Sequence, residues 1–208
     1  MFELLSADTP NGKKVSILLE ELGLQYKVTK INIYKGDQFK PSFSKISPFN
    51  KIPVLKDVKT KKYIFESGAI LIYLGEKYKK FYDKKNRLKI LQWLMAQMAY
   101  VGPMFGQHHQ FHHYNHGKSK FGEDRYFKIS TQIYKDLDKR LSKSKFLACS
   151  KYTIADIATF PWVARHEIHD IGLKKFKNLT RWFDLISKRK AVIKGYDFMN
   201  RGEIIPKP

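Results

Sequence analysis

Two short segments carry the residue types from which a binding site for a small peptide is built. Ile46 to Leu55 is an extended stretch containing Ile52-Pro53, and Phe65 to Ile70 brings Glu66 and Ser67 to the start of a helical pattern. A cis bond before Pro53, expected for a proline at a tight approach, would turn the polar groups of the preceding main chain outward. The N–H groups at the start of the following helix attract a carboxylate. Together these features predict a site that holds a small peptide by its backbone and its acidic end.

A nucleophile supplied by the chain itself is harder to find. Ser6, Asp8, Thr9, Pro10 and Asn11 follow the first strand candidate, with no cysteine among them. The single cysteine, Cys149, cannot form an internal disulfide and has no CxxC or Cys/His metal spacing around it, which fits a reducing compartment. The histidines at 108, 109, 112, 113 and 116 form a second chemical cluster. On a regular helix His108, His112 and His116, or His109, His112, His113 and His116, share a side, so a divalent metal is sterically conceivable. The absence of cysteine or carboxylate ligands before Glu123 and Asp124 argues against a metal. Lining of an active site and solvated or interdomain packing both stay open for this cluster.

The elements that must position these residues change character along the chain. Phe2 to Ser6 reads as a strand, and Val15, Leu18, Leu19 and Leu22 as one face of a helix closed by Gly23. A second strand follows around Tyr26 to Ile33, then a short irregular helix over 38–45, strands at 53–55 and 62–65, and a helix from Ser67 to Tyr78. This order predicts an α/β thioredoxin-like N-terminal domain over 1–78, a linker over 79–87, and an all-α C-terminal domain with an extended tail over 88–208. In the second part a helix over 88–101 is expected to be interrupted at Gly102-Pro103. A helix over 123–141 follows, and another begins at Thr153 with Asp156 closing a capping box. The last strong helix, over 176–188, places Leu179, Trp182, Phe183 and Ile186 on one side.

A 208-residue chain buries roughly 70% of its unfolded surface, enough to stand without disulfides. No apolar run approaches the roughly 20 residues of a membrane span, and the N-terminus lacks a basic segment followed by an apolar core, so a cytoplasmic location is expected. The formal charge is +21, from 40 Lys and Arg against 19 Asp and Glu. The lysines are scattered, with local pairs such as Lys13 and Lys14. That distribution reads as a solvated basic coat rather than a directed groove, so no specific nucleic-acid or membrane partner is expected.

In order, the segments 9–15, 36–43, 46–54, 65–74, 102–111 and 152–158 make the chain similar to the soluble glutathione transferase superfamily, and most similar to its bacterial nu-class-like disulfide-bond reductases. The resemblance covers nearly the whole chain and implies the glutathione transferase fold. It also implies a homodimer whose substrates are small-molecule thiols and disulfides, with glutathione, reduced or oxidised, as cosubstrate and no metal.

The resemblance further implies site roles. Glu66 and Ser67 would hold the γ-glutamyl end of glutathione, and Ile52, before Pro53, would pair its main chain with the cysteinyl moiety. Gln38 and Lys51 would meet the glycyl carboxylate, and Arg125 would reach the ligand from the helical domain. Thr9 and Asn11 would sit beside the sulfur and stabilise its thiolate, so that glutathione itself attacks the disulfide. Transferase or peroxidase action on small electrophiles or hydroperoxides, or a noncatalytic interaction role, are the alternatives. Tyr100 and Phe105 are read either as lining of a second-substrate pocket or as core.

Overall fold

The computed structural model describes all residues from Met1 to Pro208. By internal contacts the chain divides into two compact units. The first contains Met1–Tyr82 and Arg189–Ile204; the second contains Asp83–Lys188 and Ile205–Pro208. A single break at 79–87 therefore leaves out one return of the chain, for a reason that lies in the last helix.

The first unit begins with strand β1 (Phe2–Ser6), helix α1 (Pro10–Glu21) and strand β2 (Tyr26–Lys30). After two 3-10 turns come the four-residue helix α2 (Pro41–Ser44), strands β3 (Val54–Asp57) and β4 (Lys62–Phe65), and helix α3 (Ser67–Tyr78). The sheet order is β2-β1-β3-β4, with β1 parallel to β2 and antiparallel to β3, and β4 antiparallel to β3. Phe2 and Leu4 are buried on one face of β1, and Val54 and Leu55 are fully buried in β3. A satellite core of Ile31, Phe43 and Val54, flanked by Leu5, Ile33, Ile46 and Ile52, lies under the segment before β3. Burying the Ile52 side chain there anchors a stretch that has no strand partner of its own.

At the far end of β3, Asp57 accepts hydrogen bonds from Tyr73 at 2.6 Å and from Lys77, tying the sheet to the last turns of α3. Burial works to raise the Asp57 carboxyl, but Lys77 and Tyr73 together hold it well below the usual carboxylate range. The start of α3 thereby has a fixed position relative to the sheet.

Helix α9 (Lys190–Tyr196) closes the first unit, in a region that reads from sequence as part of the helical domain and its extended tail. It lies against α1 so closely that a Cβ on Gly195 would stand 2.6 Å from the Cα of Ile17 and 2.7 Å from its nitrogen. Ser16 Oγ donates to Gly195 O at 2.6 Å, and Arg189 makes a two-pronged pair with Glu21 at 2.5 and 2.7 Å. Only a residue without a Cβ permits this approach. Gly195→Ala is expected to cost about 1–3 kcal/mol by overpacking, seen as a lower urea midpoint at unchanged slope; an unchanged midpoint would argue against the close crossing.

The second unit contains α4 (Arg87–Ala96), α5 (Gly102–His108), α6 (Lys120–Leu141), α7 (Ile154–Val163) and α8 (Lys177–Ser187). The expected interruption at Gly102-Pro103 takes another form. A π-helical turn over Gln97–Val101 leads from α4 directly into α5, with Pro103 in its first turn. A proline has no N–H and clashes with the carbonyl four residues back, and a widened turn relieves that clash without ending the helix. A second π-helical turn, His109–Tyr114, follows α5. All ten residues of α7 are buried, and Trp182, Phe183 and Ile186 of α8 are fully buried, so α7 and α8 make the centre of this unit. No helix of the structure is long and apolar enough to cross a membrane.

Candidate functional site

In the first unit, the segment before β3, the start of α1 and the start of α3 surround a cavity of about 160 Å³. Asn11, Lys51, Ile52, Pro53, Glu66 and Ser67 line it, together with Ser47, Phe49 and Phe65. The Ile52-Pro53 bond is cis. One residue earlier, Ser47 Oγ donates to the carbonyl of Lys51 at 2.7 Å and accepts from the Lys51 N–H at 3.2 Å, which pins the loop from beneath.

Glu66 has φ 67° and ψ 114°, a positive φ in a residue that carries a Cβ. Such a conformation costs roughly 1–3 kcal/mol and persists where surrounding structure enforces it, often at ligand sites. Here it leaves the Glu66 carboxylate exposed while the next residue, Ser67, is only 3% exposed and opens α3. An exposed acceptor thus stands beside a buried hydroxyl at a helix N-terminus, a pairing suited to an ammonium and a carboxylate on one ligand.

Thr9 caps α1: its Oγ1 accepts from the Gly12 N–H at 3.2 Å. A Cβ at Gly12 would fall 2.5 Å from Ser6 Oγ and 2.8 Å from Ala7 O, so glycine lets the end of β1 press against the first turn of α1. That close fit sets the position of the first turn of α1, from which Asn11 lines the cavity, whereas Thr9, at the cap, is not part of the lining.

The other sequence-derived candidates have different settings. Gln38 lies in the 3-10 turn Asp37–Phe39, where its Nε2 donates to Ile33 O at 3.2 Å, and it is not part of the cavity lining. Arg125 belongs to the second unit, in an open cleft of about 470 Å³ with Phe121, Asp124, Lys128 and Ile129. Its guanidinium lies over the Tyr126 ring at 6.0 Å. Phe105 is fully buried against Tyr134 and His169 and is core, whereas Tyr100 is half exposed.

Lys13 and Lys14 overturn the reading of every lysine pair as solvated coat. Each is 1% exposed. Lys13 Nζ meets Asp8 Oδ1 at 3.0 Å, Tyr196 O at 3.0 Å and Glu203, so the C-terminal segment is tied to the loop just before Thr9. Lys14 Nζ donates to Ser67 Oγ at 3.4 Å. Burial pushes the Lys14 ammonium down to about 7, with the Glu66 charge acting in the opposite sense. A sequence signal for Lys14 existed: it lies four residues before Leu18, on the apolar stripe of α1, where a solvated lysine does not belong.

The histidines sit among aromatic rings of the second unit. His109 stacks on His169 at 4.8 Å and on Trp162 at 6.0 Å, and His108 stacks on His112 at 4.7 Å. His108 Nε2 donates to His169 O at 2.8 Å, and Tyr134 Oη and His169 Nδ1 share a hydrogen bond at 2.7 Å. No three His, Cys, Asp or Glu side chains converge in a metal-ligating arrangement. His112 in turn meets the His116 ring edge-on at 5.9 Å, so the side shared by His108, His112 and His116 survives the π-helical turn that begins at His109, as rings packed on one another.

Comparison with known proteins agrees with this architecture. The family models for the glutathione S-transferase N-terminal and C-terminal domains match residues 9–77 and 94–190. Disulfide-bond oxidoreductase YfcG of Escherichia coli (strain K12) is 39% identical over 198 residues, spanning 92% of each chain. A glutathione transferase of Burkholderia graminis, solved with two glutathione molecules bound per subunit, superposes with a TM-score of 0.90 at 38% identity, covering 97% of this chain and 89% of that one. A glutathione transferase of Pseudomonas putida, solved with one glutathione disulfide per subunit, gives a TM-score of 0.86 at 39% identity, with 94% and 90% coverage. The paired thioredoxin-like and all-helical units, the matches to both domain models and the likeness to these relatives establish that the chain belongs to the glutathione S-transferase superfamily.

Proposed function

We propose that this protein is a glutathione-dependent disulfide-bond oxidoreductase in which bound glutathione supplies the attacking sulfur. The observation that carries the reading is the cavity where Asn11, the main chain at Ile52 and the Ser67 end of α3 converge. The γ-glutamyl carboxylate would take the Ser67 hydroxyl and N–H, and the α-ammonium would face Glu66. The cysteinyl backbone would pair with Ile52 and its sulfur would lie toward Asn11 and Thr9. Lys51 and, after a rotation away from Ile33, Gln38 are the proposed partners of the glycyl carboxylate. Arg125 is proposed as a contact supplied by the helical unit. The oxidoreductase name of the Escherichia coli relative and the glutathione ligands of the two solved relatives support this reading.

The proposed steps follow from thiol chemistry. The glutathione thiolate attacks one sulfur of the substrate disulfide, forming a mixed disulfide and releasing one substrate thiolate. A second glutathione thiolate attacks the glutathione sulfur of that mixed disulfide, giving glutathione disulfide and releasing the other substrate thiolate. Two glutathione thiols are oxidised and one disulfide is reduced. The protein's part is to favour thiolate over thiol. The Thr9 oxygen already accepts from Gly12, so its O–H is directed elsewhere, and the Asn11 amide is a second neutral donor. Neither is a base strong enough to remove the proton; they stabilise the charge once it has formed.

Turnover of a small water-soluble disulfide with glutathione tests this assignment. Removing one donor from an oxyanion hole typically costs about a hundredfold to a thousandfold, and a thiolate accepts hydrogen bonds more weakly than an oxyanion, so Thr9→Val and Asn11→Ala are each expected to lower kcat/KM by roughly tenfold or more. Thr9→Ser, which keeps the hydroxyl and the cap, should retain most activity. Cys149→Ser should match the parent chain. Full turnover in the Thr9→Val, Asn11→Ala double variant, or turnover without glutathione, would end the proposal.

A further inference from the structure

The side of Ser67 that faces α1 is occupied by Lys14, a residue outside the cavity lining. Lys14 is 1% exposed, and its Nζ approaches the Ser67 hydroxyl at 3.4 Å. A hydroxyl oxygen that accepts from an ammonium turns its own O–H away from that ammonium, and bonds in such a chain strengthen one another where water is excluded. The charge behind the hydroxyl therefore makes Ser67 a better donor to an anion.

Resting on the assignment of the cavity to glutathione, we propose that Lys14 is a positioning residue for the γ-glutamyl carboxylate, acting through Ser67, and that it takes up a proton when that carboxylate binds. A fully buried ammonium is poorly solvated, and a carboxylate arriving on the far side of Ser67 supplies an opposite charge that favours the protonated form. The balance before binding is set by identifiable groups. From α3, Glu66 favours the charged form, and burial opposes it, leaving Lys14 near 7 in the absence of ligand. On α1 itself, the neighbouring Lys13 is engaged by Asp8 and Glu203. From α9, Lys194 is paired with Glu20 at 2.9 Å, and the Tyr196 ring lies 3.9 Å from Lys13 Nζ. From β1, Glu3 faces Lys56 and Thr29. At the other end of α3, Lys77 is paired with Asp57. Glu66 is thus the group on which the ligand's arrival acts alongside Lys14, since the ligand brings an ammonium to one and a carboxylate to the other.

The test is calorimetric binding of S-methylglutathione, whose blocked thiol removes the sulfur from the proton count, in two buffers of different ionisation enthalpy. With Lys14 at about 7 in the unliganded chain, binding at pH 7.5 is expected to take up about three-quarters of a proton, and binding at pH 6 very little. Lys14→Arg, charged throughout this range, should bind with no proton uptake. Lys14→Met should bind roughly tenfold to a hundredfold more weakly at pH 6 and likewise exchange no proton. If the methionine chain does not fold, the arginine chain alone decides the question. Binding with no proton uptake by the parent chain at pH 7.5, or uptake persisting in Lys14→Arg, overturns the role of Lys14 and leaves the glutathione assignment standing. Failure of the parent chain to bind S-methylglutathione at any pH overturns the glutathione assignment itself, and this inference with it.

Discussion

Asp156→Ala is expected to cost about 3–5 kcal/mol of folding stability, although the residue is not part of the candidate site. The carboxylate is fully buried and serves four donors. Oδ1 accepts from the Leu147 N–H at 2.9 Å and from Trp182 Nε1 at 2.9 Å; Oδ2 accepts from the Thr153 N–H and the Thr153 hydroxyl, each at 3.0 Å. One side chain thereby caps α7, holds the loop before it and anchors the central tryptophan of α8. Burial pushes the Asp156 carboxyl up, and these four bonds act against that rise.

Truncation leaves at least three N–H donors inside the unit without an acceptor, each worth about 1–3 kcal/mol when stranded. Against a total stability of about 5–15 kcal/mol, such a loss puts the chain near unfolding. Asp156→Asn keeps an acceptor for one pair of donors but offers N–H groups to the other, so an intermediate loss is expected. Urea unfolding of the three chains at neutral pH measures the order. A loss below about 1 kcal/mol for the alanine variant would mean that water or a shifted backbone replaces the carboxylate.

Acid should weaken the second unit well before ordinary carboxylates titrate. Burial, with help from Arg165 and neighbouring imidazoles, holds His109 down to about 3, and burial with His109 and His108 holds His169 well below its usual range. Both rings therefore stay neutral in the folded chain while the same histidines in the unfolded chain gain protons from about pH 6.5 downward. The unfolded state binds more protons across that window, so the stability these rings provide is fully present above about pH 6.5 and is lost progressively as pH falls. At about 1.4 kcal/mol per pH unit for each ring, lowering the pH from 7 to 5 is expected to remove about 2–4 kcal/mol. His109 is 6% exposed and His169 fully buried, so solvent screening does little to reduce the effect. His109→Phe keeps a ring for stacking on His169 and Trp162 and removes one titration, so it should flatten the slope by one ring's share, with His169, His108 and His166, all held low by burial, supplying the remainder. Equal stability of the parent chain at pH 7 and pH 5 would show that these rings accept protons in place.

The same contrast between local and distant causes separates what was legible in the sequence from what was not. Strand β1 and helix α3 are found where alternation and 3.6-residue periodicity predict them, Ser67–Tyr78 included. The cap at Thr153 and Asp156 was readable because its partners are three residues apart. The candidate site was legible where its residues act through backbone shape, as at Ile52-Pro53 and Glu66-Ser67, because turn chemistry and helix starts are short-range properties. By itself, then, the sequence determined the two-part architecture and the order of its elements, and it pointed to the segments that line the cavity. The tertiary structure decided that Arg189–Ile204 returns to the first unit, that the helix of α4 runs on through Gly102-Pro103 into α5, and that Lys13 and Lys14 lie inside rather than in the basic coat. Whether a lysine is solvated depends on which remote segment covers it, here the C-terminal return over Lys13 and the start of α3 beside Lys14. The apolar stripe of α1 hints at Lys14, but no local pattern shows what covers either lysine, because desolvation is set by contacts made across nearly the whole length of the chain.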